Sequence, residues 1–184
     1  GGGLAVLAPL LLVYAISLGD FMDANIVIGL LLVAIVSYID DCRSLSSSLR
    51  LAVHVIAACV LVLPQGHPLY LGIGLCLLTV WCINLYNFMD GIDGLAASMG
   101  TIGFLSMYFL NANNGQTELA SISSIVGFSC LGFLVLNFPP AKIFLGDVGS
   151  ASLGYLMAVA IVLTTSGGLS DSWVPLLISA PFLF

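Results

Sequence analysis

The sequence predicts an all-α fold, a polytopic bundle of transmembrane helices with about eight spans. Three observations carry that reading. Charged residues make up 7% of the chain and hydrophobic ones 60%, with a mean hydropathy of +1.19; a soluble domain carries about 25% charged residues. The apolar residues fall in long runs separated by short polar breaks. Period-2 alternation, the mark of a membrane barrel, is absent. Backbone groups find no water in a bilayer core, so each run must bond internally as a helix.

The first run, Leu4 to Leu18, has no basic leader and opens a regular series, so it reads as a span and not a signal peptide. Phe21 to Ile39 follows and ends on Asp40-Asp41. Leu49 to Leu63 stops at the break from Pro64 to Pro68, and Leu69 to Ile83 stops at Asn84. Leu95 to Leu110 opens after Gly94. Leu119 to Phe138 is ended by Pro139-Pro140, and Ala151 to Thr165 stops near Gly167. An eighth run begins near Trp173 and continues to Phe184. Several runs are shorter than the roughly 20 residues of a full span, so polar ends or loops sit partly in the interface. The whole reads as one integral-membrane domain over residues 1–184. The chain lacks an initiator Met, opens on Gly1-Gly2-Gly3 and stops inside an apolar run, so it is expected to be a fragment truncated at both ends.

Alternation of spans assigns each break to a side. With Gly1 on one side, the breaks at Asp40 to Ser48, Asn84 to Gly94 and Asn137 to Ser150 share that side. All three bases, Arg43, Arg50 and Lys142, lie there, which marks it as cytoplasmic by the positive-inside rule. The acids Asp20, Asp23, Glu118 and Asp171 go to the opposite side. The net charge of −6 comes from scarce bases and leaves no basic surface for nucleic acid. Five cysteines without CxxC pairing read as small buried apolar residues. Trp81 and Trp173 fit interfacial anchors.

Five aspartates fall in three polar islands on the basic side. A carboxylate at a helix mouth in so apolar a chain is costly and points to a functional site. Island one holds Asp40 and Asp41, whose mutual repulsion a cation, a nearby Arg43 or Arg50, or a metal–diphosphate would relieve. Arg50 is placed to fork onto a phosphate oxygen. Island two holds Asn84, Asn87, Asp90 and Asp93, with Gly91 and Gly94 allowing close backbone approach. If that segment is helical, Asp90 and Asp93 share a face one turn beyond Asn87. Their oxygens suit a hard cation such as Mg²⁺. Island three holds Lys142, Gly146, Asp147, Gly149 and Ser150. Its glycines read as a flexible turn leading into a helix N-terminus that favours an anion, with Asp147 placed to hold the accompanying metal. Solvated caps, a helix N-cap by Asp93 and a structural turn are the plainer accounts of the three islands. His54, one turn past Arg50, reads as a packing or hydrogen-bonding residue, and His67 lies in a turn of the opposite side.

At these islands the sequence resembles the polyprenyl-phosphate sugar-1-phosphate transferases (glycosyltransferase family 4), which include the phospho-MurNAc-pentapeptide translocase and GlcNAc-1-phosphate transferases. The matching stretches are Asp40-Asp41 with Leu45-Ser46 and Arg50, the run NLYNFMDGIDGLAAS from Asn84, and FLGDVGSASLG from Phe144. Gly1-Gly2-Gly3 resembles the end of a Pro-Arg-Gly-Gly-Gly segment. The resemblance implies an Mg²⁺-dependent enzyme, with Mn²⁺ as a substitute. It would transfer an N-acetylhexosamine 1-phosphate from a UDP-sugar to undecaprenyl phosphate and release UMP. It implies metal binding by Asn87 and Asp147 and catalytic roles for Asp40, Asp41, Asp90 and Asp93. Arg50, Asn84, Lys142, Gly149 and Ser150 are expected to bind substrate. Cys42-Arg43-Ser44 stands where the pentapeptide translocases carry Lys, which favours the GlcNAc-type branch. NFMDGIDG and NFPPAKIFLGDVGS are most similar to enzymes that initiate O-antigen.

The implied setting is the bacterial inner membrane, multi-pass, with the site facing the cytoplasm, membrane lipid around it, and a homodimer as one assembly it allows. The family's His-rich cytoplasmic segment and earliest helices are not in the sequence. The pentapeptide translocase is the alternative within the family. CDP-alcohol phosphotransferases also pair Asp with Gly, but need an Arg soon after the first Asp-Gly, and none follows Asp90-Gly91. A cation or proton transporter would place its carboxylates near mid-membrane and not at span ends.

Overall fold

A computed structural model describes residues 2–17 and 22–166. Among them the chain forms seven α-helices and no strand. These are α1 (Gly2–Ile16), α2 (Ala24–Cys42), α3 (Ser47–Val62, continued by one 3-10 turn, Leu63–Gln65), α4 (Leu69–Met89), α5 (Leu95–Asn113), α6 (Thr117–Asn137) and α7 (Gly146–Ser166). All but α1 are long and apolar enough to cross a membrane, so the protein is a multi-pass membrane protein. The first run yields a helix of only 15 residues. At 1.5 Å per residue that is about 22 Å, short of the roughly 30 Å hydrocarbon core. The eighth run, Asp20, Asp171 and Trp173 lie outside the described residues.

Helix α7 is the axis of the bundle. Its residues from Ala151 to Val162 are almost wholly buried, and it packs on α1, α2 and α4, while α5 pairs with α6. Small residues let these helices approach closely. A methyl on Gly29 of α2 would run into the Tyr155 ring, and one on Gly149 would lie 2.5 Å from Gly3 Cα of α1.

Local signals set the ends that matter for the site. Ser46 caps α3, its hydroxyl accepting from Leu49 N at 3.4 Å. Phe138, the residue before Pro139, takes the extended conformation that ends α6. Gly94 and Gly146 both stand at positive φ, 75° and 74°, where the chain turns sharply into α5 and α7. The first N–H groups of α1 are satisfied by the island-three loop, Gly2 N on Phe144 O (3.0 Å) and Gly3 N on Leu145 O (2.9 Å). That bond pair places the start of α1 at the same end as island three. Asp23 and Glu118 meet at the opposite end, lining an open cavity of about 450 Å³ with Gln116 and Thr117.

The islands themselves depart from expectation in two ways. Gly146, Gly149 and Ser150 do not form a flexible turn, because α7 begins at Gly146 and they belong to its first turns. The segment after Met89 is not helical either, because Gly91 and Gly94 break it, so Asp90 and Asp93 do not share a helix face.

Candidate active site

The three islands, separated by up to about a hundred residues of sequence, meet at one end of the bundle. Asp40, in the last turn of α2, accepts from Leu45 N with Oδ1 (2.6 Å) and from Arg50 Nη1 with Oδ2 (2.8 Å). The first bond folds the α2–α3 loop back; the second ties α2 to α3. The same Nη1 lies 3.9 Å from Asp147 Oδ2. One guanidinium thus stands between islands one and three, while Asp40 is 11% exposed and Asp147 35%. Asp41 borders the start of α7: a methyl on Gly146 would lie 3.6 Å from its Oδ2. Beside it is a small cavity of about 180 Å³ lined by Gly3, Leu4, Tyr38, Asp41, Leu145 and Val148.

Island two reaches the same place from α4. Asp90 closes that helix, its N–H bonding Tyr86 O at 3.1 Å. Its carboxylate lies near the Gly146 N–H at the start of α7. Partial burial pushes the Asp90 carboxyl up to about 6; the Gly146 N–H works against this, and the nearby Asp147 charge adds to it. Asp93 does not join the group: it is exposed and accepts from Ala141 N at 3.0 Å, bridging two loops. Asn87 accepts from Ser150 Oγ at 3.0 Å, and its amide lies beside Asp147.

The remaining predicted residues are held elsewhere. Asn84 donates to Val80 O (2.7 Å) and pairs with His54 Nδ1 (3.4 Å), so His54 is a buried hydrogen-bonding residue. Lys142 is exposed and forms no ion pair among the described residues. Gly149 is buried in the α1–α7 contact. Cys82 and Cys130 are buried, whereas Cys42 is exposed at the island end.

Sequence reasoning passed over Asn137. This residue, 4% exposed at the end of α6, accepts from Gly94 N (3.1 Å) and donates to Ile143 O (2.9 Å). One amide thereby fixes the loop after Asp90 to the loop before Asp147. A lone amide at the end of an apolar run, just before Pro-Pro, was its sole signal.

Asp40, Asp41 and Asp90 thus lie within electrostatic reach of Asp147, and one guanidinium pairs with Asp40 and Asp147, a balance that attracts cations. Among the described residues no three His, Cys, Asp or Glu side chains gather tightly enough to hold a metal alone. Mg²⁺ takes one or two carboxylates and fills its other positions with water and phosphate oxygens. The hard oxygens of Asp147, Asp90 and Asp41 fit that kind of ion, and the Asn87 oxygen, now bonded to Ser150, could join them if its amide turned.

Comparison with known proteins adds to this geometry. The family model described as glycosyl transferase family 4 matches residues 24–165. A Bacillus subtilis protein, "Probable undecaprenyl-phosphate N-acetylglucosaminyl 1-phosphate transferase", is 41% identical over 90 residues, covering 47% of this chain and 25% of its own. A decaprenyl-phosphate N-acetylglucosaminephosphotransferase of Mycolicibacterium smegmatis is 36% identical over 176 residues, covering 82% and 43%. A phospho-N-acetylmuramoyl-pentapeptide-transferase of a Geobacillus strain is 37% identical over 141 residues, covering 74% and 40%. The chain spans less than half the length of these relatives. With the matched segment running from the first residue of α2 almost to the end of α7, the chain belongs to glycosyl transferase family 4.

Proposed function

We propose that the protein transfers an N-acetylhexosamine 1-phosphate from a UDP-sugar to a polyprenyl phosphate, undecaprenyl phosphate in the first instance. The observation that supports this most is the gathering of Asp40, Asp41, Asp90 and Arg50 about Asp147 at the end of a membrane bundle. A phosphate oxygen of the lipid attacks the β-phosphorus of the nucleotide sugar. The bond from that phosphorus to the bridging oxygen breaks, and UMP leaves with the electron pair.

In this reading Asp40 and Asp41 orient the lipid phosphate, and Arg50 exchanges part of its ion pairing for a phosphate oxygen. Asp90 takes up a proton or positions the nucleotide sugar. Asp147 with Asn87 would hold Mg²⁺, which when bound would supply positive charge against the diphosphate. The island end faces the cytoplasm of a bacterial inner membrane, supported by the gathering of Arg43, Arg50 and Lys142 there. The resemblance of NFMDGIDG and NFPPAKIFLGDVGS supports a start in O-antigen synthesis. A second reading, a pentapeptide transferase of peptidoglycan synthesis, is favoured by the likeness to the Geobacillus relative.

The test is UMP release in membranes from cells expressing the complete gene, with undecaprenyl phosphate and Mg²⁺. UDP-GlcNAc and UDP-MurNAc-pentapeptide are offered separately, with Asp147→Asn as control. Lipid-dependent release that the variant lacks supports the transferase and names its sugar. A folded protein that turns over no nucleotide sugar would sink the proposal.

A further inference from the structure

We propose that Ser150 is a positioning residue whose hydroxyl lets the Asn87 amide serve Asp147 in two orientations, one without and one with a bound cation. The proposal rests on the Mg²⁺ reading above and deepens it. Ser150 is expected from sequence to touch substrate; the structure instead buries it completely in the first turns of α7.

Its Oγ lies 3.0 Å from Asn87 Oδ1, 3.1 Å from Gly146 O and 3.4 Å from Asp147 O. A hydroxyl carries one proton and two lone pairs, so it donates to one of these at a time. Donation to Asn87 Oδ1 engages the amide oxygen at 3.0 Å, so the NH₂ end is the one left for the Asp147 carboxylate nearby. This orientation suits a bare carboxylate, which needs donors. It does not suit a cation, which needs oxygen.

Rotation of the amide exchanges its two ends. Oδ1 then faces the ion held by Asp147, and Nδ2 faces Ser150. The hydroxyl now accepts from Nδ2 and donates its O–H to Gly146 O, which is already at 3.1 Å. Both orientations leave the amide and the hydroxyl partnered, so neither strands a buried polar atom. A methyl group at position 150 serves neither. A pure acceptor would serve only the loaded state, and a pure donor only the empty one.

The test uses the full-length protein in detergent and two readouts. One is the rise of the unfolding midpoint with added Mg²⁺; the other is the Mg²⁺ concentration for half-maximal UMP release. Partners of metal ligands are worth about 10–100-fold in metal affinity. Ser150→Ala should therefore need about 10–100-fold more Mg²⁺ in both readouts, with KM for the nucleotide sugar unmoved. Ser150→Thr keeps the hydroxyl and should return close to wild type. Ser150→Cys keeps the volume and should resemble Ser150→Ala. If Ser150→Ala responds to Mg²⁺ like wild type, the assignment falls and the metal reading stands. The assignment also falls if Cys behaves like wild type while Thr fails, since volume would then be the cause. A wild-type midpoint that ignores Mg²⁺ overturns the metal reading and the Ser150 role with it.

Discussion

A single methyl group at Gly154 should both loosen the bundle and disable the site. Gly154 sits where α7 crosses α4. A Cβ built there lies 2.7 Å from Ile83 Cα and 2.9 Å from the Cys82 carbonyl carbon, and it also runs into the Cys82 carbonyl oxygen. These are backbone atoms, so no side chain can swing aside. Ordinary carbon contacts need about 3.5–4.0 Å, which leaves a deficit of roughly 1 Å that only separation of the two helices can supply. Overpacking of this kind costs about 1–3 kcal/mol. The crossing lies about 10 Å along α4 from Asp90 and about 12 Å along α7 from Gly146. A shift there alters the distance between the Asp90 carboxylate and the Gly146 N–H. Misplacement by about 1 Å is worth about 10²-fold in rate. Gly154→Ala is therefore expected to lower the thermal midpoint in detergent and to cut UMP release about a hundredfold. Gly74→Ala is the control, because a methyl there meets nothing within 4 Å, and Ala is the better helix former by about 1 kcal/mol. Wild-type stability and turnover in Gly154→Ala would refute the close-crossing account.

Other perturbations probe the site directly. The Asp90 carboxyl is raised from an ordinary 3.8 to about 6, so the folded chain holds this proton more tightly than the unfolded one. Its stabilising share is complete below about pH 4 and fades as pH rises through about 6. Asp90→Asn should accordingly gain stability relative to wild type between pH 4 and pH 7, and an unchanged difference would contradict the burial. If ionised Asp90 takes part in turnover, kcat/KM should fall on the acid side of about pH 6. Asn137→Ala strands the Gly94 N–H and the Ile143 carbonyl and should cost about 1–3 kcal/mol; Asn137→Asp, which keeps only the acceptor, should fall between. Arg50→Gln should cost about 1 kcal/mol or less in stability, since the guanidinium is partly exposed, while raising KM for the lipid phosphate. A wild-type KM would remove Arg50 from that role. Cys42 should react with a membrane-impermeant maleimide in inverted vesicles and not in intact cells; the opposite pattern would reverse the assigned sidedness.

The sequence by itself determined the fold class, the order of the helices and the gathering of three acidic islands at one end. Hydropathy carries that information because a bilayer leaves each apolar run one backbone solution, and alternation then fixes the side of every loop. Motif spacing led as far as the family. Which island residues meet was decided only by the tertiary structure. Asp90 and Asp93 are equivalent on paper, a carboxylate before a glycine three residues apart. The positive φ of Gly94 turns the chain beyond them, with one inward near Gly146 and the other on the rim bonding Ala141. Asn137 carried little signal in the sequence because its role is to fill the hydrogen-bonding needs of two backbone groups distant along the chain. Ser150 passes for a loop residue until α7 is seen to begin at Gly146 and bury it. Local composition sets where a carboxylate lies along the membrane normal. What that carboxylate touches depends on helix crossings governed by glycines such as Gly3, Gly149 and Gly154, whose missing side chains signal nothing until a partner helix lies against them.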